Sequence, residues 1–427
     1  MVWSKYNFLF ETEKNGFFLY NSYTNNFMEL SKENFEILKL CKEGNVDIID
    51  EEIRKCLIDE CILVECDDDI YNKIRLQRSL VRFNDSYLAL TIAPTLACNF
   101  RCIYCYETGI ENISSMSEED IPKIVSFVKN YPLIKFLRVT WYGGEPLLRF
   151  PFIESLTSEL KAIVPNYEAS MITNGYLLDE EVASKLKSLC IKQLQVTIDG
   201  LRATHNARRP HVIYNDSFEK IISNLENLFS VYPEIKISLR VNVDKTNCDE
   251  YHDLYDFLVN KFKGYELRIH PGYVTDDYSV CKYSSCMQKD DKVTFLLKQH
   301  EKYNIPMGFY PRSEFGECGA RHINSFVIGP SGELYKCWND IGIKEKSVGN
   351  IENYSLSNSL MVKYLMEADP LSSNECKECF YFPICNGGCP YTRIYRSGDT
   401  KSVCQLMKEH LQEFLMEHYK IKNKFPK

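Results

Sequence analysis

The hydrophobic positions in the first 85 residues predict a small α+β unit. Three short strands are expected, at residues 8–10, 17–20 and 27–30. The first two flank Asn15-Gly16, a dipeptide that suits a hairpin turn with positive φ. Ser31 and Asp50 then stand where helix N-caps are expected, each before a helix with one apolar face, and a strand returns at 62–64. This order of elements indicates a winged helix.

From about residue 87 the pattern changes to apolar strands that alternate with amphipathic helices, which predicts parallel βα units. The expected strands are 88–93, 137–141, 169–173, 194–198, 235–241 and 267–270. The expected helices between them are 120–129, 152–163, 179–189, 218–229 and 251–262. Six such repeats predict a partial (β/α)6 barrel of the TIM type. In such barrels the functional residues collect at the carboxyl ends of the strands.

The regular alternation ends near residue 310, where a cysteine-rich stretch begins and runs to a helix expected at 405–419. We therefore expect three domains, formed by residues 1–85, 86–309 and 310–427. The last of these contains seven cysteines, together with several glycines and prolines. No repeats or low-complexity tracts interrupt the chain.

Composition adds one unusual feature, the cysteine count. Apolar residues make up 44% and charged residues 26% of the chain, which is ordinary, but there are 18 cysteines. The amino terminus has no basic stretch followed by an apolar run, and no window approaches the roughly 20 apolar residues of a membrane span, so we expect a cytoplasmic protein. In a reducing compartment many cysteines favour metal or catalytic roles. The net charge of −8 disfavours binding to nucleic acid.

The first distinctive motif follows the first barrel strand, where Cys98, Cys102 and Cys105 form a CxxxCxxC spacing on a loop. Four thiolates saturate a four-iron cluster, whereas three leave one iron open to a bidentate ligand. The amino and carboxylate groups of the methionine part of S-adenosylmethionine (SAM) suit that vacancy. The alternative is a structural zinc site, which requires a fourth protein ligand. No histidine or further cysteine lies near the motif to provide it.

On this motif the chain resembles the radical SAM superfamily. The resemblance implies that Cys98, Cys102 and Cys105 are catalytic and hold a [4Fe-4S] cluster. An electron from this cluster would cleave SAM and leave a 5′-deoxyadenosyl radical, which removes a hydrogen from the substrate. It also implies an electron donor such as flavodoxin or ferredoxin.

The same resemblance assigns further contacts to SAM, all after barrel strands. Gly143, Gly144 and Glu145 of a Gly-Gly-Glu-Pro motif would hold its amino group, and Tyr104 would lie near its adenine. The remaining contacts are expected from Thr173, Asn174, Thr197, Arg209 and Asn242. Either Arg208 or Arg209 could reach the carboxylate, and Arg209 matches the pattern better.

The C-terminal cysteines resemble the SPASM extension of radical SAM enzymes, which implies two auxiliary [4Fe-4S] clusters and three clusters in all. The ligands of the first would be Cys318, Cys337 and Cys389; those of the second would be Cys376, Cys379, Cys385 and Cys404. Two four-iron clusters need eight ligands, and this segment supplies seven thiolates. Either the first auxiliary cluster has an open iron, or Cys281 or Cys286 closes it. The alternative is a pair of zinc knuckles.

SPASM enzymes act largely on peptides and proteins, and the N-terminal unit resembles the peptide-recognition module of enzymes that mature ribosomally made peptides. We therefore expect a precursor peptide with a leader as substrate and a thioether or C–C crosslink as product. Sulfatase maturation is the alternative enzyme function, although Trp338 stands where those enzymes carry an acidic base, with Asp340 nearby. From another class, a zinc-ribbon interaction protein is the alternative.

Overall fold

The computed structural model describes residues 1–13, 16–107, 113–274, 284–312, 318–385, 387–396 and 404–424. The chain divides into two compact units. The first, called the terminal unit, comprises residues 1–83, 307–322 and 364–427; the second, called the sheet unit, comprises residues 84–306 and 323–363. None of the described helices is long and apolar enough to cross a membrane.

The terminal unit begins with five short strands. They are β1 (Val2–Trp3), β2 (Asn7–Thr12), β3 (Gly16–Asn21), β4 (Asn26–Leu30) and β5 (Leu63–Val64). Strands β2, β3 and β4 form an antiparallel sheet in that order, and β1 pairs with β5. The three predicted strands and the returning strand are thus confirmed. The hairpin turn was predicted at Asn15-Gly16. Gly16 has the expected positive φ, +95°, and Asn15 lies outside the described residues.

Three helices complete the N-terminal part of this unit: α1 (Lys32–Lys42), α2 (Glu51–Asp59) and α3 (Asp67–Arg82). The two predicted N-caps are confirmed, because Ser31 accepts from the backbone N–H of Asn34 and Asp50 from that of Ile53. Helix α3 was not predicted. Its buried face includes the fully buried side chain of Arg78 and the nearly fully buried side chain of Arg82, so two of its core positions are occupied by charged residues.

The sheet unit is built on six parallel strands in chain order. They are β6 (Tyr87–Ile92), β7 (Phe136–Trp141), β8 (Tyr167–Thr173), β9 (Ile191–Thr197), β10 (Lys236–Val243) and β11 (Leu267–Tyr273). The helices around them are α4 (Ile121–Lys129), α5 (Phe150–Ile163), α6 (Glu180–Lys185), α7 (Arg202–Arg208), α8 (Ser217–Val231), α9 (Tyr251–Lys261) and α10 (Lys289–Tyr303). Strand β11 is an edge of the sheet, so the sheet is open. All six predicted parallel strands are confirmed.

Four later strands extend this sheet at its other side: β12 (Ser325–Ile328), β13 (Glu333–Tyr335), β14 (Gly349–Asn350) and β15 (Asn353–Tyr354). Strand β12 pairs in parallel with β6, and the remaining three follow in antiparallel order. A short helix, α11 (Ser359–Val362), follows. Residues 323–363 therefore belong to the sheet unit, whereas the sequence pattern grouped them with the cysteine-rich segment.

The C-terminal part of the terminal unit contains α12 (Asn374–Lys377), α13 (Pro390–Tyr395) and α14 (Leu411–Lys424). The last helix was predicted from about residue 405, but it begins at Leu411 after a 3-10 turn at Leu406–Lys408. Leu411 and Leu415 pack in one core with Phe10 and Phe18. The N- and C-terminal segments thus share a hydrophobic core.

Candidate functional site

The predicted cluster loop, residues 98–105, leaves the carboxyl end of β6 and is held by a second segment. The backbone N–H of Arg101 donates to the carbonyl of Pro210 at 2.9 Å, and that of Ile103 donates to the carbonyl of Arg208 at 3.1 Å. These bonds place the segment after α7 beside the three cysteines. A backbone ladder of this kind fixes both segments without using their side chains.

The two glycines after β7 allow a close backbone approach to the residues that precede Cys98. The N–H of Gly144 donates to the carbonyl of Thr95 at 3.1 Å. A Cβ atom on Gly143, whose φ is +112°, would lie 2.3 Å from the same oxygen, and one on Gly144 would lie 2.3 Å from the carbonyl oxygen of Ala97. Only glycine fits at these two positions. The half-buried backbone of Gly143 and Gly144 therefore packs directly against the residues that lead into the cluster loop.

Glu145 is fully buried and ties the ends of two neighbouring strands together. Its carboxylate accepts from the hydroxyl of Thr173 at 2.7 Å, from the N–H of Asn174 at 2.8 Å and from the N–H of Leu147 at 3.0 Å. Burial raises the pKa of this carboxyl, and these hydrogen bonds oppose the rise. Glu145 and Thr173 therefore position the ends of β7 and β8, and their predicted contacts to SAM stay a prediction.

Asn174 links β8 to the cluster loop. Its side-chain amide donates to Asn99 at 2.7 Å and lies 4.0 Å from the sulfur of Cys98. The backbone N–H of Phe100 also points at that sulfur, at 3.4 Å. Thr197, the last residue of β9, is buried. The structure thus places the predicted residues of β7, β8 and β9 at the carboxyl ends of their strands.

A buried network around Asp199 gathers three of the predicted SAM contacts. The Tyr104 hydroxyl donates to the carboxylate of Asp199 and accepts from Arg209 at 2.7 Å and from the amide of Asn242 at 2.9 Å. The N–H of Asn242 donates to Asp199 at 3.0 Å. Burial raises the pKa of Asp199, with Arg209 opposing it most strongly. Sequence reasoning did not single out Asp199, although a carboxylate two residues beyond a barrel strand was a signal for it.

The two neighbouring arginines have different partners. Arg208 is committed to a buried ion pair with Asp244, at 2.6 Å, and also donates to Thr246 at 2.8 Å. Arg209 donates to Tyr104, and its buried Nε has no hydrogen-bond partner among the described residues. Burial opposes the charge of Arg209, but Cys102 and Tyr104 outweigh that effect and raise its pKa well above the ordinary value. Arg209 therefore keeps donor capacity for a ligand anion, and Arg208 serves as a scaffold.

Substitution of each arginine by methionine separates these roles. We expect Arg209→Met to weaken SAM binding by about 10- to 100-fold, because one charge-assisted interaction with a carboxylate is lost. We expect Arg208→Met to lower stability by about 3–5 kcal/mol, because it leaves the buried Asp244 unpaired. Equilibrium binding and thermal unfolding of the holoenzyme measure the two effects. This division of roles would be contradicted if Arg209→Met mainly lowered stability and Arg208→Met mainly weakened SAM binding.

The three thiols of the cluster loop lie in one electrostatic environment. The pKa of Cys98 is raised to about 12 and that of Cys105 to about 11, chiefly by burial, and Cys102 contributes to both rises. Arg209 lowers the pKa of all three thiols. Among the described residues no three His, Cys, Asp or Glu side chains converge on the position of a single metal ion. Cluster binding removes thiol protons, and Arg209 favours this loss at all three thiols.

The terminal unit holds a second set of thiols, Cys376, Cys379, Cys385 and Cys404. After burial, Cys376 and Cys404 help to raise the pKa of Cys379, and Cys379 and Cys376 help to raise that of Cys385. Two cations donate to them. Arg393 lies 3.2 Å from the sulfur of Cys376, and Lys408 lies 3.4 Å from that of Cys404. Four thiols with cationic donors are the donor set expected around an anionic iron–sulfur cluster.

The residues predicted for the first auxiliary cluster are divided between the units. Cys337 follows β13 in the sheet unit, whereas Cys318 and Cys389 belong to the terminal unit. Of the two candidates for a fourth ligand, Cys286 is buried in the sheet unit, and Cys281 lies outside the described residues. The joint role of these cysteines stays a prediction.

One family model matches part of this chain. The Radical SAM superfamily model matches residues 92–258. Mycofactocin maturase MftC of Mycolicibacterium smegmatis is 26% identical over 342 residues, which are 75% of this chain and 82% of that protein. GTP 3′,8-cyclase of Pasteurella multocida is 32% identical over 175 residues, which are 39% of this chain and 49% of that protein.

Comparison with solved structures supports the fold. The structure of anSMEcpe with bound AdoMet and a Cp18Cys peptide is similar with a TM-score of 0.59 at 20% identity, over 79% of this chain and 99% of that one. Streptococcus suis SuiB bound to its precursor peptide SuiA gives 0.54 at 17% identity, over 95% of this chain and 99% of that one. At such identities the likeness concerns the fold alone.

Proposed function

Because this chain carries a radical SAM domain, the mark of an enzyme family that cleaves SAM with an iron–sulfur cluster, we propose that it is a SPASM-type maturase. It would act on a ribosomally made precursor peptide and install a crosslink. The observation that carries this proposal is the second set of thiols, from Cys376 to Cys404, gathered in the terminal unit. Cysteines in this number and order are typical of radical SAM enzymes that act on peptides.

The residues present fit the cofactors that the proposal requires. Cys98, Cys102 and Cys105 would hold the first [4Fe-4S] cluster, and Gly143 and Gly144 let the backbone after β7 approach the residues before Cys98 closely. The buried Nε of Arg209, which has no hydrogen-bond partner in the described part of the chain, can donate to a carboxylate. When bound, the cluster and SAM supply one-electron cleavage chemistry and the removal of a substrate hydrogen atom.

The chain itself contributes position and charge. Glu145 fixes the ends of β7 and β8 through three hydrogen bonds. Asp199 and Asn242 hold the Tyr104 hydroxyl, and through it the guanidinium of Arg209, beside Cys102. Because these groups are already paired, and Glu145, Asp199 and Arg209 are buried, they need little reorganisation when a ligand arrives.

The terminal unit offers a surface for the leader of a precursor peptide. Strands β2 and β4 are the edges of its three-stranded sheet, and an edge strand can pair with an extended peptide. Between Glu43 and Asp69 the sequence has eleven acidic residues and two basic ones, a balance that attracts a basic leader. Leader recognition at this sheet is therefore part of the proposal.

The kind of crosslink depends on the first auxiliary cluster. By the SPASM resemblance Cys318, Cys337 and Cys389 would supply three ligands, and an open iron could bind a substrate cysteine and place its sulfur near a carbon radical. A thioether is therefore the product we propose first, with a C–C bond as the alternative. A spectrum of the auxiliary clusters that does not change when a cysteine-containing precursor is added would contradict the thioether mechanism.

Sulfatase maturation is less well supported. Trp338 takes the place of the acidic base that follows the second SPASM cysteine in those enzymes, and its ring stacks on Tyr142 with centroids 5.7 Å apart. Asp340 is fully buried and lies 3.4 Å from Lys346. A buried, ion-paired carboxylate is poorly placed to take a proton from a substrate. An assay with a sulfatase peptide tests this alternative directly.

The experiment is anaerobic co-expression with the short open reading frames encoded beside this gene, with and without their leader sequences. We expect one precursor to lose two hydrogen atoms, with formation of 5′-deoxyadenosine, and to be modified far less without its leader. Alkylation with iodoacetamide then distinguishes a thioether, in which one cysteine no longer reacts, from a C–C bond. Mass spectrometry of the peptide gives all three results.

The Cys102→Ala variant expressed with the same precursor is the control. An unchanged precursor mass together with intact SAM in the wild-type sample would contradict the proposed function. A colourless protein that contains zinc would instead favour the zinc-ribbon alternative.

A further inference from the structure

The face of β10 that carries Asn242 also carries Arg240, because residues two apart on a strand point to the same side. In the neighbouring strand β11, His270 stands in register with Arg240, and Arg268 precedes it by two residues on the same side. These three residues, Arg240, Arg268 and His270, are called the basic face below. Since the amide of Asn242 donates to the hydroxyl of Tyr104, the basic face adjoins the predicted SAM site.

The guanidinium of Arg240 lies against the backbone of Gly272 on β11. A Cβ atom at position 272 would lie 2.4 Å from Nε of Arg240 and 2.6 Å from its Nη2. Gly272 is buried and stands in register with Asn242. The Nε of Arg240 also donates to the side-chain oxygen of Asn242 at 2.7 Å. Packing and this hydrogen bond therefore hold the guanidinium at the carboxyl ends of β10 and β11, the end of the sheet where substrates bind.

Arg240 carries a charge that no acidic side chain of the described residues neutralises. Its side chain is half-buried, and within the described part of the chain its bond to Asn242 is its only hydrogen bond. The donors of Nη1 and Nη2 are thus left for a ligand. A cation that is partly removed from water without a counter-ion is unfavourable, and an anion with two oxygens is the ligand that best matches parallel guanidinium donors.

The acidic side chains near these strands are already engaged. Five of them lie in strands β8 to β11 or within two residues of the strand ends, and each has a partner. The pairs are Glu168 with Arg138, Glu234 with Lys187, Glu266 with Lys236, Asp244 with Arg208, and Asp199 with Tyr104. The basic face therefore has to obtain its anion from outside these strands.

His270 adds a neutral polar group to the basic face. Its pKa is lowered to about 4, chiefly by burial, and Arg240 and Arg268 contribute to the fall. Its Nδ1 lies 3.3 Å from the hydroxyl of Ser238. At neutral pH the imidazole is therefore uncharged, and the two arginines alone supply the positive charge.

We propose that Arg240 binds a carboxylate in the core segment of the precursor peptide, the part that is modified, and thereby sets which residue meets the radical. The proposal rests on the proposed function and names a chemical requirement for its substrate. The carboxylate belongs either to an Asp or Glu side chain or to the C-terminus of the peptide. A substrate anchored in this way beside the SAM site presents one hydrogen for removal, because orientation decides which atom reacts.

The test uses the full-length holoenzyme, dithionite and the precursor found by the co-expression experiment. Each Asp of its core segment is replaced in turn by Asn and each Glu by Gln, and one further peptide has an amidated C-terminus. We expect one of these peptides to raise the KM of the wild-type enzyme by about 10- to 100-fold, because one charge-assisted contact is lost. The peptide that shows the rise identifies the carboxylate as a side chain or as the C-terminus.

Arg240→Gln removes the same contact from the side of the enzyme. The glutamine amide keeps N–H donors but has no charge. We expect this variant to raise the KM for the natural precursor by the same factor, and to show no further rise with the neutralised peptide, because both changes remove one interaction. SAM affinity should stay within about twofold of wild type, since charge near the peptide and not near SAM is lost.

The matched control is Arg138→Gln, which removes the same charge from an arginine of β7 that is already paired with Glu168. It should leave the KM for the precursor within about twofold of wild type, because a partly exposed ion pair contributes little. Dithionite-driven formation of 5′-deoxyadenosine without peptide should be equal in the wild type and both variants.

Several results would overturn the carboxylate proposal alone. One is a wild-type KM that no neutralised peptide raises, a result that does not depend on how well a variant folds. The others are an unchanged KM in Arg240→Gln, or losses from Arg240→Gln and the neutralised peptide that add together. Weaker SAM binding by Arg240→Gln with an unchanged KM for the precursor would show that Arg240 acts through Asn242 instead. If the wild type forms no 5′-deoxyadenosine with dithionite, the proposed function itself fails, and this proposal fails with it.

Discussion

Replacement of Cys102 by alanine is expected to lower the rate of SAM cleavage by at least about a thousandfold, because the three thiols act as a unit. Cys102 interacts electrostatically with both other thiols, since it helps to raise the pKa of Cys98 and that of Cys105. Among the groups that raise the pKa of Arg209, Cys102 has the largest effect. The measurement is 5′-deoxyadenosine formed per protein under excess dithionite, together with iron and sulfide content.

Cys56→Ser is the matched control, because Cys56 is an exposed thiol to which no role is assigned. It should retain wild-type activity and iron content. We expect Cys102→Ala to lose one cluster while it keeps the iron bound by the C-terminal cysteines. Normal SAM cleavage by Cys102→Ala would show that the loop does not hold the reactive cluster.

Gly143→Ala is expected to have the second largest effect. The added Cβ would lie 2.3 Å from the carbonyl oxygen of Thr95, and the φ of +112° is unfavourable for any other residue. The left-handed backbone alone costs about 1–2 kcal/mol, and overpacking against a fixed backbone costs about 1–3 kcal/mol more. Because the contact lies just before Cys98, the strain is transmitted to the cluster loop. We expect SAM affinity to fall at least about tenfold along with stability.

Gly264→Ala is the control that separates the cost of the left-handed backbone from the effect of the close contact with Thr95. Gly264 has φ +98°, but a Cβ there would meet nothing within 4 Å. This variant carries the conformational cost without the contact, and it should bind SAM like the wild type. Thermal unfolding and equilibrium SAM binding of both variants measure the difference. Equal losses in the two variants would mean that the close approach of Gly143 to Thr95 has no specific role.

The sheet unit was predictable because its strands carry buried apolar residues mostly at alternate positions and its helices have one apolar face. Strands β6 to β11 lie within a few residues of their predicted positions. Helix α3 was not predictable in the same way. Arg82 on its buried face pairs with Asp369 at 2.6 Å, so a charged residue takes a core position through a partner far away in the sequence.

The placement of residues 323–363 shows the same limit. Strand β12 is short, and nothing in its sequence indicates that it pairs with β6, more than 230 residues earlier. The local sequence pattern therefore grouped β12 with the cysteine-rich segment. Long-range pairing of short strands depends on the assembled sheet, which a sequence pattern does not contain.

The parts of the candidate site that belong to a local sequence motif were predictable. The roles that depend on contacts with residues far away in the sequence were not. The spacing of Cys98, Cys102 and Cys105 and the glycines of the Gly-Gly-Glu-Pro motif are local signals. The choice between Arg208 and Arg209 required the position of Asp244, and the part played by Asp199 required that of Tyr104. Such networks join the ends of several strands, so no single segment reveals them.

The most direct test of the central claim, that three thiols leave one iron of the cluster free for SAM, is EPR spectroscopy of the reduced, reconstituted enzyme before and after addition of SAM. We predict that SAM changes the signal of one cluster in the wild type, and that this signal is missing from Cys102→Ala. A wild-type spectrum that SAM leaves unchanged, in a protein with full iron content, would contradict the claim.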